Sequence, residues 1–243
     1  MKILTHATMP WMILLSRLGL FGLIQGILAL SLYIIDDPEP WESAASWWPF
    51  VVTVTNLIGL FLLIQIFRME GKSYWRIFNI DRKNLRRDIW TVLGILVIAS
   101  PISYLPNIFL ANLLFGDIQI ALDLFFRPLP FWAVFVGIIV FPVTQGLVEI
   151  STYFSYIMPH FEKKGYPVWL SLGLPALFLG VQHIAVPFLF NIDFIIYRAL
   201  MFLPFAILVG IIMRWRPRLL PYLAIIHVLM DVSSAALLFT VAY

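Results

Sequence analysis

The sequence predicts an all-α polytopic membrane protein, a helical bundle of about seven transmembrane helices with its N-terminus cytoplasmic. Three observations carry this. Of the 243 residues, 62% are apolar and only 12% charged, whereas a soluble domain carries about 25% charged residues, and a domain of this size cannot bury so large an apolar excess. The apolar residues form continuous runs of about 20 rather than alternating, which suits membrane-crossing helices and not barrel strands. Basic residues gather in every second connection, which sets orientation. Together these exclude a soluble globular domain and a disordered chain. With no cysteine, a disulfide scaffold, a thiolate nucleophile and a thiolate metal site are excluded as well. Nothing resembles a nucleotide loop or a nucleic-acid module, so nucleic acid is not an expected partner. Membrane lipid is.

The first run, residues 11–35, is too long for the apolar region of a signal peptide, and no A-x-A-like cleavage site follows it, so it is read as a retained span. Its Gly19, Gly22 and Gly26 fit close helix packing. The further runs cover 48–67, 89–113, 131–158, 168–190, 194–213 and 219–242. Ahead of the third, residues 71–90 mix aromatic, aliphatic and basic side chains. They are either a helix lying on the anionic leaflet or a solvated basic loop that sets topology. All nine tryptophans fall at span starts or in loops and none in mid-span, as expected of interfacial indoles.

Orientation follows from the connections. Residues 68–88 hold Arg68, Lys72, Arg76, Arg82, Lys83, Arg86 and Arg87, residues 159–167 hold Lys163 and Lys164, and residues 214–218 hold Arg214, Arg216 and Arg218. The alternate connections are acidic, with Arg127 as their one basic residue. The basic side is cytoplasmic by the positive-inside rule, and the cell membrane is the expected location.

Six ionisable residues fall inside the runs: Arg17, Glu149, His183, Arg198, His227 and Asp231. Arg17 and Arg198 lie within about 10 Å of a span end, close enough for long side chains to snorkel, so both are expected to anchor at headgroups. The other four are too short to escape. They fall in the middle part of a hydrocarbon core about 30 Å thick, where a carboxylate costs roughly 2.5–3.5 kcal/mol on insertion scales. Gln145, Glu149, Thr152, Tyr153 and Tyr156 share one stripe of the fourth run. His227 and Asp231 lie one helical turn apart on the seventh, and Gln182 and His183 add to the fifth. Such a cluster either fixes helix packing by hydrogen bonds or marks a functional site.

The chemistry that suits these groups is water activation. Glu149 serves as general base, with a histidine holding the water or taking the proton. A second imidazole donates to the oxyanion of a tetrahedral intermediate. Asp231 either orients His227 or, if protonated, donates directly.

The stretch from Gln145 to about Ser234 resembles the CPBP family of type II CAAX prenyl proteases and bacteriocin-processing relatives. That family's H-x-x-x-N/D motif is present as His227-Val-Leu-Met-Asp231. Its F-x-x-x-H motif appears as Leu179-Gly-Val-Gln-His183, with leucine in the phenylalanine place. Its E-E-x-x-x-R motif is degraded: Glu149 takes the second glutamate's place with Val148 and Tyr153 in the other two, or the first with Ile150 and Phe154. The resemblance implies one integral membrane domain, 1–243, whose residues 131–243 form the catalytic core. It further implies an intramembrane endopeptidase that cuts a peptide or membrane-protein substrate, prenylated or not, with Glu149, His183, His227 and Asp231 as site residues. No cofactor is expected, although His183, His227 and one carboxylate also make a donor set for zinc. Two alternatives remain. One is a catalytically impaired member acting as a membrane-bound binding or immunity-type protein. The other is a small transporter.

Overall fold

A backbone in hydrocarbon must satisfy its own N–H and C=O groups, so each apolar run becomes a helix. A computed structural model describes the backbone of residues 2–242 and the side chains of 8–239. In chain order its helices are α1 (Lys2–Ile34), α2 (Pro40–Ser46), α3 (Trp48–Met69), α4 (Leu85–Phe115), α5 (Ile118–Phe125), α6 (Phe131–Ile150), α7 (Met158–Lys163), α8 (Val168–Val181), α9 (Ile192–Leu200), α10 (Leu203–Trp215) and α11 (Leu220–Ala242). No strand occurs among the described residues. Seven segments are long and apolar enough to cross a membrane: Thr8–Ile34, Trp48–Met69, Leu85–Phe115, Phe131–Lys163, Val168–Ala185, Ile192–Trp215 and Pro217–Phe239. They match the seven expected runs, and the outward surface is apolar to suit. Val97 is 76% exposed and Phe109 66%, a surface that belongs against lipid.

The largest departures are in the fourth and fifth segments. The fourth continues to Lys163 through a π-helical turn at Ser151–Ile157 that joins α6 to α7. The wider i→i+5 turn breaks the expected stripe. Tyr153 stays with Glu149, whereas Tyr156 packs against Phe67 and the His160 ring. The fifth stops early: α8 ends at Val181, Gln182–Ala185 form one 3-10 turn, and no helix follows until Ile192. Val186 precedes Pro187, whose ring disfavours helix at the residue before it and supplies no N–H.

Helix α6 is central, packed against α11 and α3. Its tightest glycine contact is at Gly146, where a Cβ would stand 2.5 Å from Val228 Cγ2 and 2.9 Å from the Ala224 carbonyl oxygen. The packing expected at Gly19, Gly22 and Gly26 is not formed within the chain, since a Cβ at any of them would meet nothing within 4 Å. Trp48 also departs from expectation. It is buried and stacked on Phe125 at 4.6 Å between ring centroids, while Trp90, Trp132 and Trp169 are exposed as interfacial residues should be.

At the basic end, ion pairs lace the connections together: His160 Nε2 to Glu70 Oε1 at 2.7 Å, Arg214 Nε to Glu162 Oε1 at 2.7 Å, and Arg218 to Asp88 Oδ1 at 2.9 Å. Residues 71–84 form no interfacial helix. Only Tyr74–Phe78 make a 3-10 turn, and the buried Tyr74 hydroxyl donates to the Leu147 carbonyl at 2.5 Å.

Candidate functional site

The polar core is built on Arg17, which lies at 1% exposure. The expectation that it snorkels is overturned. Helix α1 is described from before Thr8, leaving about 14 Å of helix between Thr8 and Arg17, and the guanidinium turns inward. Its Nε donates to Gln182 Oε1 at 2.7 Å, Nη1 to Asn56 Oδ1 at 2.8 Å and Nη2 to Gln145 Oε1 at 3.1 Å. Asn56 Nδ2 donates in turn to Gln145 Oε1 at 3.0 Å and Thr144 Oγ1 at 3.2 Å. The Tyr153 hydroxyl donates to Gln182 Oε1 at 3.0 Å.

This network converges on one oxygen of Glu149. Gln145 Nε2 and Gln182 Nε2 each donate to Oε1 at 2.6 Å, and Arg17 Nη2 stands 3.9 Å from it. The other oxygen, Oε2, is 3.3 Å from His227 Nε2. The same nitrogen lies 3.4 Å from Asp231 Oδ2. The i, i+4 pair therefore meets as its spacing predicts, but both carboxylates approach Nε2, so neither holds Nδ1. His227 Nδ1 and Asp231 Oδ2 are buried and make no hydrogen bond among the described residues. His183 is presented by the 3-10 turn after α8. Its Nδ1 donates to the Leu179 carbonyl at 2.8 Å, which leaves Nε2 as the acceptor nitrogen, 3.9 Å from Glu149 Oε1. Among the described residues no group of three or more His, Cys, Asp and Glu is arranged to hold a metal ion.

All four residues singled out in the sequence, Glu149, His183, His227 and Asp231, line one cavity of about 330 Å³. Its walls are mostly apolar, with Ser103 and Tyr104 of α4 on one side and Met230 and Ser234 of α11 on another. A few convergent polar groups in an apolar cavity is the general form of a small-molecule or peptide site.

The second buried arginine serves the backbone. Arg198, at 3% exposure, was also expected to reach headgroups. Instead its Nε donates to the His183 carbonyl at 3.3 Å and its Nη2 to the Val186 carbonyl at 2.7 Å, with the guanidinium 4.3 Å from the Phe125 ring centroid. Where the fifth segment breaks, the His183 carbonyl also accepts from Val186 N at 3.3 Å, whereas the Val186 carbonyl depends on Arg198. Farther along the break, the Gln25 side-chain amide donates to Phe188 O at 2.8 Å and accepts from Phe188 N at 2.9 Å, and Trp41 Nε1 donates to the same carbonyl at 2.9 Å. Irregular backbone at membrane depth is tolerated only with such partners.

Sequence reasoning passed over Asn56 and misplaced both arginines. The signal for Asn56 was present, a side-chain amide in the middle of an apolar run. Comparison of the chain with protein-family models, with curated proteins and with solved structures finds no match in any of the three.

Proposed function

We propose that the protein is an intramembrane endopeptidase of the CPBP type, a hydrolase cutting peptide bonds of membrane-associated substrates. The observation that carries this reading is the division of labour at Glu149. One oxygen is tied back by two amides at 2.6 Å, the other lies 3.3 Å from His227 Nε2, and the residue lines the cavity. A carboxylate so held takes a proton from water along one defined direction. His183 Nε2, an acceptor, holds that water against Glu149. His227 Nε2, flanked by two carboxylate oxygens, carries the hydrogen and donates it to the developing oxyanion. Water adds to the carbonyl carbon as its proton passes to Glu149. The tetrahedral intermediate then collapses, and Glu149 returns the proton to the leaving amine. The degraded first motif has Tyr153 or Phe154 where its arginine would stand, yet Arg17 brings a guanidinium to Glu149 from α1. The chain works without a cofactor in this reading. It sits in the cell membrane with the basic end cytoplasmic, and its substrate is a peptide or membrane protein, prenylated or not.

The test compares newly exposed N-termini in membranes expressing the wild type and Glu149→Gln at matched levels. Termini found with the wild type and absent with Glu149→Gln are expected, a loss of at least about 100-fold in cleavage. Retained cleavage overturns the mechanism. One observation favours a second reading, a membrane-bound binding protein that does not cut. Val148, which stands in the first glutamate's place when Glu149 is read as the second, is fully buried and packs against Gly59. Identical termini from two folded proteins select that reading.

A further inference from the structure

We propose that Arg17 is the counter-charge and positioning residue of Glu149, acting across three helices through the amides of Gln145 and Gln182. Arg17 is the sole charged residue between Thr8 and Ile34, and its guanidinium is turned away from lipid and from both ends of the span. A guanidinium donates and never accepts, so the amide oxygens of Gln145 and Gln182 must face it. That fixes the flip of both amides and points both NH2 groups at Glu149 Oε1, each at 2.6 Å. Two parallel donor chains thus run from one cation to one carboxylate oxygen, each bond polarising the next, in addition to the direct 3.9 Å approach. Asn56 braces the third nitrogen, and the Tyr153 hydroxyl donates to Gln182 Oε1 beside Arg17, reinforcing the same flip. With both amide donors gathered on Oε1, Oε2 is left to His227.

A residue that merely glued α1 to its neighbours by hydrogen bonds would have no dependence on the charge of Glu149. A counter-charge does. Removing it strands a buried carboxylate, and neutralising that carboxylate relieves the damage. The inference rests on the proposed function only in taking Glu149 as the working carboxylate, and its test reads unfolding rather than cleavage. Absence of proteolysis therefore leaves it standing, and its own failure leaves the cleavage test standing.

The experiment measures thermal unfolding of the full chain in detergent for wild type, R17M, E149Q and R17M/E149Q. R17M is expected to lower the midpoint by roughly 10 °C, and adding E149Q is expected to recover at least half of that loss. If R17M alone does not fold, a folded R17M/E149Q supports the proposal. Additive losses, or a double variant no better folded than R17M, overturn it.

Discussion

Arg17 and Arg198 are each the one arginine of an apolar helix, each buried, and each surrounded by hydrogen-bond acceptors, but the acceptors differ in kind. Around Arg17 they are side-chain amides that pass the charge on to a carboxylate. Around Arg198 they are the main-chain carbonyls of His183 and Val186, where the fifth segment breaks at Val186-Pro187. The first guanidinium serves an ionised group. The second makes an irregular stretch of backbone tolerable in hydrocarbon, and so sets where the 3-10 turn presents His183. Burial of a charge alone therefore says little about its role, and the partners decide it.

The sharpest way to break this contrast is Arg198→Met. It leaves the Val186 carbonyl without its donor, worth about 1–3 kcal/mol, and removes the cation–π contact with Phe125, worth up to about 2 kcal/mol when desolvated, so a loss of roughly 2–5 kcal/mol is expected. Unlike the loss at Arg17, it should not be relieved by adding Glu149→Gln. Recovery in that double variant, followed by thermal unfolding, would make the two arginines alike.

A smaller effect is expected on the α6–α11 contact that brings Glu149 to His227. Gly146→Ala places a methyl 2.9 Å from the Ala224 carbonyl oxygen, a backbone atom that cannot rotate away. Forcing these helices apart costs about 1–3 kcal/mol and lengthens the 3.3 Å approach of Glu149 to His227. Stability should fall, and the cleavage proposed above with it, whereas Gly22→Ala, which meets nothing within 4 Å, should leave both unchanged.

The smallest effect lies outside the spans, at Glu70. Burial pushes its carboxyl up, but hydrogen bonds and charge from Lys72 and His160 outweigh that and hold it below its ordinary value. A carboxyl lowered on folding contributes stability above its unfolded value and loses it as pH falls through the folded one. Acidification from the ordinary carboxylate range downward should therefore lower the unfolding midpoint of the wild type more steeply than that of Glu70→Gln. Equal slopes would remove Glu70 from the basic-end clamp.

The sequence shows the seven spans, because twenty consecutive apolar residues have no alternative to crossing lipid as helix. It also shows that Glu149, His183, His227 and Asp231 are too short to escape the hydrocarbon and so must be accounted for inside it, and the structure lines one cavity with all four. The two arginines were beyond it. A side chain near a span end has the length to reach either headgroups or the interior, and composition does not choose between them. The glycines were misjudged for a related reason. Gly22 and Gly26 have the packing spacing but a Cβ there would meet nothing within 4 Å, while isolated Gly146 faces Val228 and Ala224. Tyr156 left the stripe because a π-helical turn shifts register, and nothing in 151–157 signals it at the level of apolar periodicity.

What the sequence determined by itself was local and additive: which segments are apolar enough to cross a membrane and which residues lipid cannot accept, all consequences of the transfer energy of each side chain. Only the tertiary structure decided which amide faces which charge, that one oxygen of Glu149 is held by Arg17's network while the other meets His227, and that Arg198 repairs a broken helix. Those are hydrogen bonds and ion pairs between residues up to 165 positions apart. Their directions are fixed by donor and acceptor geometry once the helices have packed, and no one-dimensional pattern contains that geometry.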